Sequence, residues 1–265
     1  MTTAWTTDAA TPDASRAVRL TLLWGLDGVA LRTVGGGRVP NVTEGPLRRR
    51  LSEAELPVVA VDPGLFEGEA QARAGWLDDL AALDETAAFC ARVGCGLVRV
   101  GALAGAAPGG VAGDDLEAAA GALRQAGERA AQAGLRLAVR NDAETGVATG
   151  AALGALLAAT GHPAVGADWR PADALLAGEP PADGLAALGG APLCVGVRDG
   201  TRGGGWTRAA VGEGDVGWGA HLSALAASGF DGPLVVDEIP HPARTVGLAS
   251  ATALIRAARR AQREG

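Results

Sequence analysis

The sequence predicts an α/β protein built as a closed (β/α)8 TIM barrel in a single domain. Three observations carry that expectation. Short Val-rich apolar runs alternate with Ala/Leu-rich stretches of helical period. Eight strand–helix pairs follow one another with no linker between them. The length, 265 residues, suits one large barrel better than two ordinary domains.

The elements follow in order along the chain. A candidate first strand lies at Thr2–Thr7, inside an N-terminal segment 1–14, and the barrel proper is expected over 15–265. The apolar runs Leu26–Arg32, Leu56–Val61, Gly96–Gly101, Leu135–Val139, Ala164–Ala167, Leu193–Val197 and Gly232–Val236 are short and bounded by Gly or Pro, so they read as buried parallel strands. Between them come helices at Asp13–Gly25, Glu44–Ala54, Asp78–Val93, Asp114–Ala133, Thr149–Thr160, Pro181–Leu188, Trp218–Ser228 and Ala249–Arg263. Asp13 or Ser15 can cap the first, and Gly94, Gly134, Gly161, Gly189 and Gly229 stop five of the others. Two glycine runs, Gly35–Gly37 and Gly203–Gly205, lack the spacing of a phosphate or dinucleotide loop and read as flexible βα loops.

Composition narrows the function. With 48% hydrophobic and 20% charged residues the chain can pack a core, and a net charge of -7 argues against a nucleic-acid or anionic-membrane surface. Every basic residue other than His is arginine. The absence of Lys excludes Schiff-base and P-loop lysine chemistry, and the absence of Tyr excludes tyrosine acid–base chemistry. Cys90, Cys95 and Cys194 are too few for a disulfide scaffold and read as buried, reduced thiols. The N-terminus lacks the basic and apolar regions of a signal peptide, and no run of 18 apolar residues occurs. A cytoplasmic protein with no membrane span is therefore expected.

In a barrel, chemistry belongs at the C-terminal ends of the strands. The polar residues there are Arg32, Asp62, Arg99, Arg140, Asn141, Asp142, Asp168, Trp169, Arg170, Arg198, Asp199, Arg202, Asp237 and Glu238. Arg99 sits among apolar neighbours at a strand end and is expected at the lumen or rim. Because side chains alternate along a strand, one of Asp237 and Glu238 points inward. Trp169 and Trp206 are candidates for an apolar lid. Of the three histidines only His241, just past the eighth strand, is placed to reach the active face. His162 and His221 belong to the stability side or outer ring. No His pair has metal-ligand spacing, and no G-x-S-x-G elbow is present.

Several strand ends resemble motifs of the xylose-isomerase-like barrels, the sugar phosphate isomerase/epimerase superfamily. Leu26-Asp27-Gly28-Val29-Ala30-Leu31-Arg32 resembles that family's second strand, G-x-D-G-V-E-L-R, and Val98-Arg99-Val100 its fourth. Gly134 to Asp142 resembles the fifth strand, G-v-x-l-a-l-E-N-H, and Val195-Gly196-Val197-Arg198-Asp199 resembles v-H-l-K-D. Val211 to Trp218 resembles l-G-e-G-d-v-d-W, and Gly229 to Asp237 resembles G-Y-D-G-x-L-x-x-E. The last two are the most specific. The resemblance runs from about residue 15 to the C-terminus.

It implies a small-molecule substrate, a homodimer, and a divalent ion held by Glu, Asp, His and Glu on strands five to eight. Carried over position by position, those ligands fall on Arg140, Asp168, Gly196 and Asp237, or on Glu238 if the register slips by one. The family's strand-six histidine falls on Pro171, and its substrate-binding arginine on Arg202. The constellation is therefore broken. A divalent ion needs several oxygen or imidazole ligands, and Arg140 brings a fixed positive charge instead. Two like charges about 4 Å apart repel by roughly 4 kcal/mol at an effective dielectric of 20. The expectation is that no metal or other cofactor binds and that Arg140 takes the ion's place, neutralising Asp168 and Asp237 or gripping a substrate anion.

Three functions compete. The first is a metal-independent isomerase, epimerase or lyase on a small polar, anionic, oxygenated substrate. Asp168 and Asp237 or Glu238 would shuttle the proton, Arg140 and Arg202 would hold charge, and Arg99, Trp169, Trp206 and His241 would contact substrate. The second is a non-catalytic binding protein or inactive paralogue. The third is a metal-dependent sugar isomerase with rearranged ligands, drawing on Asp142 or Glu144.

Overall fold

The computed structural model describes residues 1–105 and 113–264; residues 106–112 and 265, which the expected 15–265 span includes, lie outside the described residues. Eight parallel strands close on themselves: β1 (Thr2–Thr6), β2 (Gly28–Leu31), β5 (Val58–Val61), β6 (Leu97–Val100), β7 (Arg136–Arg140), β8 (Val165–Trp169), β9 (Cys194–Val197) and β12 (Pro233–Val236). β1 pairs with both β2 and β12, so the segment 1–14 supplies the strand that shuts the cylinder. All eight strands sit where the sequence predicts them; β7 runs one residue and β8 two residues past the expected C-terminal ends, and the other six are trimmed.

The helices are α1 (Ala14–Trp24), α2 (Glu44–Glu53), α3 (Arg73–Val93), α4 (Asp114–Gln132), α5 (Gly150–Thr160), α6 (Pro171–Leu176), α7 (Pro181–Ala187), α8 (Trp218–Ala227) and α9 (Ala243–Glu264). Local chemistry fixes several of their ends. Asp13 caps α1 by accepting the Arg16 N–H at 2.6 Å, and Gly25 ends it in the left-handed region at φ +71°. Thr149 caps α5 through the Ala152 N–H. α3 and α9 start earlier than the periodicity predicts, and α6 is an addition: Pro171, with its φ already helical, opens a short helix directly behind β8.

The two glycine runs are corrected. They are the turns of two antiparallel ribbons, β3 (Thr33–Val34) with β4 (Gly37–Arg38), and β10 (Asp199–Arg202) with β11 (Trp206–Ala209). Both ribbons rise from strand ends on the C-terminal face. Gly35 and Gly36 take positive φ, as the turn requires. Asp199 anchors the second ribbon, its carboxylate accepting backbone N–H groups from Gly200, Gly212, Gly214 and Val216.

Side-chain alternation splits each strand between two cores. Trp5 points outward, meets Trp24 of α1 edge to face at 5.0 Å, and donates its indole N–H to Thr21 at 2.7 Å. Trp169 also points outward. It is fully buried and donates its indole N–H to Nε2 of His221 on α8 at 3.0 Å. Trp169 is therefore a barrel-to-helix strut, not part of a lid, because it is the outward neighbour of the inward Asp168. The three cysteines are buried and free, and no helix among the described residues is long and apolar enough to cross a membrane.

His221 must be neutral at Nε2 to accept the Trp169 bond, and burial lowers its pKa to about 4. An unfolded histidine titrates near 6.5, so the unfolded chain takes up a proton first and stability is lost as pH falls from about 6.5 to about 4. The full loss from this residue is about 3 kcal/mol. Melting temperature measured against pH should fall through that window in the wild type and be flatter in His221→Gln. Equal slopes in the two proteins would remove histidine as the cause.

Candidate functional site

The site forms where inward-pointing residues of β6, β8 and β12 meet at the mouth of the lumen. Arg99 of β6 has a fully buried side chain. Its Nε donates to Asp168 Oδ2 at 2.9 Å and its Nη2 to Asp168 Oδ1 at 3.3 Å, while Nη1 and Nη2 donate to the two oxygens of Asp237 at 2.6 and 2.7 Å. One guanidinium thus grips two carboxylates, each through two bonds. The Thr6 hydroxyl adds a bond to Asp237 Oδ1 at 2.8 Å. Arg170, just past β8, brings a second guanidinium to 3.7 Å from Asp168 and 3.6 Å from Asp237, so two positive charges face two negative ones. Asn141 fixes Arg170 from behind, accepting its backbone N–H and donating to its carbonyl.

Burial alone would pull Arg99 toward neutrality. The attraction of Asp168 and Asp237 outweighs it and holds the guanidinium charged. Burial would likewise raise the Asp237 carboxyl, but Arg99 and Arg170 drive it far below the usual carboxylate range.

Gly196 of β9 gives this cluster its room. A β carbon built there would lie 2.7 Å from Asp237 Oδ2, 2.9 Å from Arg170 Cγ and 3.2 Å from Arg99 Nη2. The absence of a side chain at the position where the resemblance places a histidine is therefore a packing condition of the arginine arrangement.

The cation between the two aspartates is Arg99, not Arg140. β7 pairs Arg140 with Asp168 in register, whereas Arg99 pairs with Ala138, two residues lower. From that lower layer the long Arg99 side chain spans the lumen and fills the acceptor oxygens. Arg140, still at the C-terminal mouth, turns to Asp62 at 3.3 Å and to Glu67. Asp62, at the end of β5, also pairs with Arg38 at 2.6 Å. Burial would raise its carboxyl, but Arg140, Arg99, Arg38 and Arg170 together hold it low.

Asp237 is the inward member of its pair. Glu238 turns the other way, to Arg208 and, at 3.9 Å, to Arg198. Arg202 lies exposed on the outer ribbon. Its side chain donates to the Leu175 carbonyl and makes no ion pair with the lumen aspartates. Trp206 sits on the same ribbon against the Arg198 guanidinium, 5.6 Å from ring centroid to Cζ. His241 is exposed, with no hydrogen bond or ion pair to the cluster. Sequence reasoning places Asp62 and Arg170 at strand ends without giving them a role, and it misses Thr6, Arg38 and Glu67.

The divalent-ion site that the resemblance implies does not fit these residues. Among the described residues no three of His, Cys, Asp and Glu converge. The space between Asp168 and Asp237 is filled by guanidinium nitrogens bonded to all four carboxylate oxygens.

Removing one member of a buried, hydrogen-bonded charge cluster strands the others. Arg99→Leu should lower unfolding stability by roughly 3–5 kcal/mol in denaturant titration. Gly196→Ala should lower it by about 1–3 kcal/mol through overpacking. A neutral result for both would mean that the cluster does not hold the barrel together.

The fold has close counterparts among solved structures. An L-ribulose 3-epimerase superposes with a TM-score of 0.80 at 17% identity, covering 99% of this chain and 96% of that one. A 3-keto-D-glucoside 4-epimerase from E. coli gives 0.77 at 16% identity, with 97% and 99% covered. A probable 3-DHS dehydratase from Bacillus anthracis gives 0.77 at 14% identity, with 96% and 99% covered. At such identities these likenesses concern the fold. Comparison with curated proteins finds no match. The profile of one family, described as xylose isomerase-like TIM barrel, matches residues 18–264, and the chain belongs to that family.

Proposed function

We propose that this chain is a ligand-binding member of its family, one that holds a small, polar, oxygenated molecule at the barrel mouth without the family's metal-assisted proton transfer. The observation that carries this reading is the seat of Arg99. A general base needs a free lone pair within reach of the substrate and a pKa near the working pH. Asp168 is wholly buried with both oxygens engaged by Arg99. Asp237 is engaged by Arg99 and Thr6, and its proton affinity is driven down. Neither carboxylate is free to take a proton beside a carbonyl. The ligand class follows from the counterparts named for L-ribulose, D-allulose and a 3-keto-D-glucoside. A metal-dependent reaction with rearranged ligands has no support in the donor set.

A second reading keeps a metal-independent isomerase, epimerase or lyase. What favours it is Glu67, a half-exposed carboxylate beside the permanently charged Arg140. Such a pair has the elements of a base next to an oxyanion partner.

Proton NMR in deuterium oxide separates the two. Pentuloses, hexuloses and keto-glucosides incubated with the wild-type protein, with and without manganese, should show no protein-dependent exchange at the carbon beside the carbonyl. Exchange without metal that disappears in Glu67→Gln would establish the second reading and end the first. Thermal-shift screening of the same compounds should give saturable stabilisation. Stabilisation by none of them, nor by their acid forms, would remove the binding function itself.

A further inference from the structure

Arg38 and Arg140 converge on one half-exposed carboxylate at the barrel mouth, and the arrangement has the form of an anion seat. Arg38 comes from the β3–β4 ribbon. Its Nε donates to the Asp62 carbonyl at 3.0 Å and its Nη2 to Asp62 Oδ1 at 2.6 Å. The guanidinium lies against Gly64, where a β carbon would come within 3.0 Å of Nη2, so the backbone there leaves it space. Arg140 comes from the end of β7 and donates to the other oxygen of Asp62. Asp62 is buried, with 3% of its side chain exposed, and ties the two arginines together.

The outward side of this pair meets a different kind of partner. Glu67, on the loop after β5, bonds to Arg140, stands 3.6 Å from Arg38 Nη2, and leaves 45% of its side chain exposed. Beside it opens a cleft of about 290 Å³, lined among others by Glu67, Gly101, Arg140, Asp142 and Thr145. That volume lies just under the usual range for ligand pockets, about 300–1,000 Å³, and suits a small ligand. Two fixed positive charges therefore face one buried and one replaceable negative charge. If Glu67 swings out, the two arginines keep Asp62 alone as their ion-pair partner, and their two forks match the planar geometry of a carboxylate.

We propose that this cleft binds a small hydroxylated carboxylate, a sugar-acid type of molecule, whose carboxylate displaces Glu67 between Arg38 and Arg140. Asp142 and Thr145 accept hydrogen bonds from its hydroxyl groups. Glu67 is then a built-in competitor that closes the seat when no ligand is present. The proposal rests on the reading that the barrel mouth holds a small polar ligand, and it names the place and the charge of that ligand.

Isothermal titration with D-gluconate as the probe, beside sorbitol, D-ribulose and inorganic phosphate, tests it on four proteins: wild type, Glu67→Gln, Glu67→Ala and Arg140→Gln. A partly exposed ion pair of this kind is closed for most of the time, so removing the competitor should tighten gluconate binding about fivefold. Sorbitol should not respond, Arg140→Gln should abolish gluconate binding, and circular dichroism should show all four proteins folded. Gluconate binding that is absent, or unaltered by both Glu67 substitutions, overturns the proposal. So does phosphate binding more tightly than gluconate. If D-ribulose binds while gluconate does not, the seat is refuted and the broader binding function stands; if no probe binds any of the four, both fall.

Discussion

A single guanidinium, that of Arg99, decides what the barrel mouth can be. Burying a permanent charge in a protein interior is costly unless it is paired and fully hydrogen-bonded. Here both conditions are met, because the strands carrying Asp168 and Asp237 deliver four acceptor oxygens around it. The dependence is mutual. Two buried carboxylates facing one lumen would repel each other, and the arginine between them turns that repulsion into two ion pairs. Arg170 balances the remaining charge, Thr6 fills a further lone pair, and the bare backbone of Gly196 leaves the space. Residues from five strands or strand ends thus settle around one cation.

The same economy extends outward. The chain uses arginine alone where most proteins mix arginine and lysine. At the mouth several guanidiniums are matched by a carboxylate: Arg32 with Asp8, Arg38 and Arg140 with Asp62, Arg198 with Asp173. A planar fork can serve two acceptors at defined angles, which a flexible ammonium does not do. The result is a rim on which many charges are paired. Glu67, 45% exposed, is held more loosely than the buried Asp62 that shares its arginines, and this contrast gives the cleft beside Arg140 its interest.

Much of the architecture was legible in the residues. Val-rich runs bounded by Gly and Pro marked seven strands, with the Val-free first strand only a candidate, and glycine stops marked most helix ends, because burial on both faces and the left-handed cap leave direct traces in composition. What left no such trace was short or depended on a turn. α6 spans six residues, and both ribbons hide in glycine runs that also suit an unstructured loop. In the site, alternation and motif spacing brought Asp168 and Asp237 to the lumen. They put Arg140 between the two aspartates, where the structure has Arg99. That choice depends on the stagger between non-adjacent strands and on how far a long side chain reaches, with Arg99 and Asp237 lying 138 residues apart. Glu67 was beyond reach for a similar reason, since its position comes from a loop folded over the rim.

The glycine at position 196 also limits what its neighbours can become. The ion-binding arrangement that the resemblance implies would require an imidazole there, a carboxylate at position 140 and the departure of the arginine at position 99. Installing the imidazole first collides with the cluster. Adding the carboxylate first brings another anion into a crowd already balanced. Deleting the arginine first leaves two interior acids with the more distant Arg170 alone. Each single change disturbs contacts that the others rely on, so the bare backbone at position 196 couples the side chains around it into one unit.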